Sequence, residues 1–143
     1  MKKTIAIIFA ILMTGQLAYS HGEDKLGPNN GYIKMPAGFH TEVVPNKDGT
    51  FKVFLLDMSF KNPTVKESSV IARIENKKDK VNVKCEPMRD HFHCFPKNVD
   101  LKNGSLIILA QRSLAKGNEA IYKLPLALTK TNSTDSMEDH SGH

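Results

Sequence analysis

From residue 31 onward, turn-forming residues recur about every 8–12 positions, and the segments between them alternate apolar and polar side chains. That spacing suits strands of ordinary length and leaves no stretch with the periodicity of an amphipathic helix. GYIKM (31–35) and FHTEVV (39–44) read as strands flanking Pro36-Ala37-Gly38. PNKDG (45–49) is a hairpin turn, because Asp48-Gly49 tolerates positive φ. TFKVFLLDM (50–58) follows, with Phe51, Val53 and Leu55 on one face, and Asn62-Pro63 breaks the chain. SVIARIEN (69–76) turns Val70, Ala72 and Ile74 inward, and after NKKDK the segment VNVKCEP (81–87) does the same with Val81, Val83 and Cys85. In HFHCF (91–95), Phe92 and Cys94 share one side, while His91, His93 and Phe95 share the other. SLIILAQRS (105–113) reads as a buried strand, KGNE as a turn, and residues 119–128 as a closing strand in which Pro125 marks an edge or bulge.

Seven or eight short strands so arranged predict an all-β fold: an antiparallel Ig-like β-sandwich over residues 31–128. A small closed barrel is the competing closure of the same strands. The chain has no Trp, so its core rests on Phe, Leu, Ile and Val.

The flanks have a different composition. Residues 1–20 carry Lys2 and Lys3, an apolar run from Ile5 to Met13 and a small-x-small pattern at Ala18-Tyr19-Ser20. They predict a bacterial-type signal peptide cleaved after Ser20 and a periplasmic product, with no membrane insertion once cleaved. Residues 21–30 (HGEDKLGPNN) predict a flexible segment, and 129–143 a disordered tail containing Met and His. Without Lys2 and Lys3, 18 basic groups face 15 acidic ones, a net charge of about +3. The lysines are scattered, and Lys77-Lys78-Asp79-Lys80 reads as a solvated turn. A basic face with stacking aromatics is missing, so nucleic acid is excluded as a partner.

The chemistry gathers in CEPMRDHFHC, residues 85–94, which holds both cysteines of the chain. In an oxidising compartment two cysteines that enclose eight residues on facing strands predict a disulfide between Cys85 and Cys94. A Cys₂His₂ zinc site is the other use of the stretch, at a spacing unlike that of zinc fingers. With the cysteines bridged, Met88, His91 and His93 become the candidate metal ligands, and thioether plus imidazole is a donor set that suits copper. Cleavage after Ser20 would expose His21, whose α-amine and ring nitrogen can chelate Cu(II). Met137, His140 and His143 in the tail are further candidate ligands, and only His40 stands apart. For each group the plain alternative is a solvated polar surface.

Gly27-Pro28-Asn29-Asn30-Gly31, Glu42-Val43-Val44 and Val53-Phe54-Leu55-Leu56-Asp57 together resemble the small N-terminal β-domain of periplasmic adaptor subunits of heavy-metal efflux pumps. The resemblance covers roughly residues 21–76. Asn30 stands where those domains often carry a second glycine, and the chain lacks their long coiled hairpin and lipoyl-like segments. It implies a free-standing relative acting near a metal-efflux complex. The expectation is therefore a non-enzymatic periplasmic protein that binds a metal ion, copper in either oxidation state, for sequestration, transfer or resistance. A metal-free Ig-like module of an envelope or efflux complex is the alternative.

Overall fold

The computed structural model describes residues 26–127. In chain order the strands are β1 (Tyr32–Ala37), β2 (Phe39–Pro45), β3 (Phe51–Leu56), β4 (Ser69–Glu75), β5 (Lys80–Pro87), β6 (Phe92–Phe95), β7 (Ser105–Arg112), β8 (Ala115–Lys116) and β9 (Ala120–Lys123). All pairings are antiparallel, in the order β1-β2-β3-β6-β5-β4-β7-β8, with β9 also on β7. The all-β class is as expected, and every expected strand is present. The extra strand is β8, two residues that fold back on Gln111 and Arg112. The last strand stops at Lys123, before Pro125, which has no N–H to donate to a ladder.

One strand joins the two halves. β5 pairs with β4 through Lys80–Val83 and with β6 through Lys84–Pro87, so the sandwich halves form one continuous sheet. At the far side β1 and β9 approach without forming a ladder. Asn118 N–H donates to the Pro36 carbonyl at 3.0 Å, and the Tyr32 hydroxyl donates to the Ala127 carbonyl at 3.0 Å. The Tyr122 hydroxyl lies 3.0 Å from the Thr41 carbonyl and 2.6 Å from the Thr41 hydroxyl. Burial pushes the Tyr122 phenol upward in pKa, against the pull of the Thr41 bond, and the Glu42 charge adds to the rise. The sandwich-like sheet is thus a nearly closed barrel.

Alternation fills its interior: Phe39 and Val43 from β2, Phe51, Val53 and Leu55 from β3, Ala72 and Ile74 from β4, Leu106 and Ile108 from β7. β2 is buried on both faces because two loops cover its outer side. The Asp57–Asn62 turn lays Phe60 on His40, with ring centroids 4.0 Å apart. The Gly27–Gly31 turn closes over Glu42, whose carboxylate accepts from Asn29 N–H (2.8 Å), Asn29 Nδ2 (2.9 Å) and Gly31 N–H (2.9 Å). Residues 26–30, expected within a flexible segment, are therefore tied to the barrel. At Gly27 a Cβ would stand 2.5 Å from the Glu42 carboxyl carbon, and at Gly31 2.6 Å from the Val43 carbonyl, so both positions must be glycine.

Glu42 is fully buried, and among the described residues its carboxylate accepts from Asn29 and Gly31. Truncation orphans those donors and opens a void. We expect Glu42→Ala to cost at least about 3 kcal/mol in urea denaturation, whereas a loss under about 1 kcal/mol would show that the turn is not anchored there.

Candidate functional site

The β5–β6 hairpin carries the central candidates. Cys85 and Cys94 lie directly opposite each other and are joined by a disulfide, as expected. Cys94 points into the core, so by strand parity His93 and Phe95 point outward. Met88 opens the hairpin turn and is exposed; its N–H donates to the His91 carbonyl at 2.8 Å. The rings form a ladder along the outer face: Phe54 to His91 at 5.2 Å, His91 to His93 at 6.2 Å and His93 to Phe95 at 4.5 Å, the last pair stacked.

Counting protons fixes which imidazole nitrogens are free. The Thr50 hydroxyl has one proton and sits 2.6 Å from Asp48 Oδ1, which as a carboxylate can only accept. Thr50's hydroxyl and N–H hold the Asp48 carboxyl below its usual range, so it is ionised at neutral pH. The hydroxyl proton therefore goes to Asp48. Its oxygen accepts from Asn46 Nδ2 at 2.9 Å and must also accept from His93 Nε2, 2.8 Å away. In its neutral form His93 thus carries its proton on Nε2 and leaves the lone pair on Nδ1. His91 Nδ1 lies 2.8 Å from Asp90 Oδ1, another acceptor, so His91 is protonated there and offers Nε2.

Each histidine has one nitrogen fixed by a partner and the other open, the arrangement by which outer-shell groups orient metal ligands. The two ring centroids lie 6.2 Å apart. Glu86, opposite His93, is held on Lys84 Nζ at 2.6 Å, which keeps its carboxyl below the usual range. The disulfide removes both thiols. Among the described residues no three His, Cys, Asp or Glu side chains gather as a metal centre would need. Met88 in the adjoining turn is the thioether next to the pair in sequence, and the half-exposed Asp90 and Glu86 each engage one carboxylate oxygen in a surface contact.

His40 is buried, donates Nδ1–H to the Asp57 carbonyl at 3.0 Å and stands apart from the pair, as its position suggested. His21, Met137, His140 and His143 lie outside the described residues. The sequence reading missed Thr50, Asp48 and Asp90. Asp48-Gly49-Thr50 was visible as a turn, but its register against β6, which brings Thr50 to His93, comes from pairings 43 residues apart.

No family model, curated protein or solved structure matches the chain, so the resemblance to efflux adaptor domains rests on its short motifs.

The proton count has a direct check. In long-range ¹H–¹⁵N spectra of the metal-free protein, neutral His93 should show the Nε2–H pattern and His91 the Nδ1–H pattern. Thr50→Val should abolish the preference at His93 alone, and Thr50→Ser should keep it. An Nδ1–H pattern at His93 in the unsubstituted protein would refute the assignment.

Proposed function

We propose that the chain is an exported periplasmic protein that binds copper and serves in its sequestration, transfer or resistance, alone or beside an efflux complex. The observation that carries this reading is the His91–His93 pair, two imidazoles on one outer face, each with one ring nitrogen held by a neighbouring side chain. Met88 in the adjoining turn adds the soft thioether that favours Cu(I) over harder ions. His91 and His93 act as the inner ligands. His21 and the tail residues Met137, His140 and His143 serve as auxiliary donors that capture the ion and deliver it to the pair. The bridged Cys85 and Cys94 act as scaffold.

A metal-free interaction module is the second reading, favoured by the apolar outer face of the opposite half of the barrel.

Competition titration with Cu(I) and Cu(II) against a chelator separates the two. The oxidised protein should bind one ion at the pair, and His91→Ala with His93→Ala should weaken it by at least about 100-fold. Met88→Leu should weaken Cu(I) more than Cu(II). Absence of binding in both oxidation states, or an affinity indifferent to these substitutions, would overturn the reading.

A further inference from the structure

The outer face of the β4–β7–β9 half carries aliphatic side chains where a solvent-facing antiparallel sheet normally alternates to polar. Ile71 is 58% exposed and lies directly opposite exposed Leu109. Ile121 is 54% exposed and lies opposite Ile107. Met35, 59% exposed, lines with Ile121 a groove of about 380 Å³ between β1 and β9. The apolar area thus runs over three strands and across the seam of the barrel.

An ion pair crosses this area. Arg73 is opposite Ile107, with its Nε on Glu75 at 2.6 Å and its Nη2 on Glu119 at 3.3 Å. To reach Glu119 it spans β7, because β7 lies between β4 and β9. By register the pair runs diagonally, with Ile71 and Leu109 on one side and Ile107 and Ile121 on the other.

We propose that this face joins two copies of the chain as an isologous dimer. The argument is self-complementarity. A two-fold axis lying in the face and crossing the middle of the ion pair sets Arg73 of each copy over Glu119 of the other. The same operation brings Ile71 and Leu109 onto their own equivalents and Ile121 onto Ile121. Apolar area meets apolar area, and Arg73 meets Glu119. A partner of one dominant charge would meet both signs here and gain from neither. The Arg73–Glu119 pair is half-exposed within one copy and becomes desolvated and doubled between two.

Sedimentation equilibrium of the chain over about 1 µM to 1 mM should show a reversible monomer–dimer equilibrium. Ile71→Glu should weaken it by at least about tenfold. The decisive variants are Arg73→Glu and Glu119→Arg. Each alone sets like charges at positions 73 and 119 against each other across the axis and should be monomeric, while an equimolar mixture should form the heterodimer, which an ion pair confined to one copy would not produce. Circular dichroism checks that the variants fold. If any does not, dilution of the unsubstituted protein should shift the methyl resonances of Ile71, Leu109 and Ile121 selectively. A monomer throughout the concentration range, dimer contacts mapping to another face, or no heterodimer from two folded variants would overturn the proposal.

Discussion

The first half of β5 bonds to β4 and the second half to β6, and Cys85 stands just after the change of partner. A strand that serves two sheets cannot slip in one without losing register in the other, because a one-residue shift reverses every side chain. The disulfide to Cys94 fixes that register covalently at the junction. Phe92 and Cys94 are thereby kept in the core, and His93 and Phe95 outside. The same register sets Lys52 opposite His93 on β3 and brings the Asp48–Thr50 turn to the imidazole. The candidate site therefore follows from how β5 is shared, although no candidate ligand lies on β5 itself.

A second constraint acts at the other edge of the barrel. β2 would present Glu42 and His40 to solvent as any outward-facing strand residue, yet both are covered. Glu42 gathers the Gly27–Gly31 turn through three hydrogen bonds, and His40 receives Phe60. These loops bury β2 on both faces. Thr41, on its inner face, then meets Tyr122 of β9 and helps hold the nearly closed barrel together. The polar groups involved are paired, as burial demands.

Much of the fold was legible because period-two alternation and turn chemistry are local. Val70-Ala72-Ile74 and Phe51-Val53-Leu55 announced their inner faces without help from the rest of the chain. The cysteine pair was legible for the same reason, since a hairpin brings near neighbours together. Sandwich against barrel was not legible, because that depends on whether one strand bonds on both sides, which no local pattern records. Glu42 read as one letter of a short motif, and Asn29 and Gly31 as others. That they form one hydrogen-bonded unit depends on a pairing 11 to 13 residues long. The metal-ligand candidates sit between these cases. The parity of His91 and His93 was local and correct, whereas the nitrogen each leaves open depends on Thr50 and Asp90.

Amide hydrogen exchange in the Cys85→Ala, Cys94→Ala double variant tests most directly the claim that the bridged β5–β6 junction holds the site. Loss of the bridge should cost about 2–3 kcal/mol globally. Exchange should accelerate most at Phe92–Phe95 and at Val83–Glu86, and the β1–β2 hairpin should lose protection only to the extent of the global change. Protection at Phe92–Phe95 equal to that of the bridged protein would contradict the account.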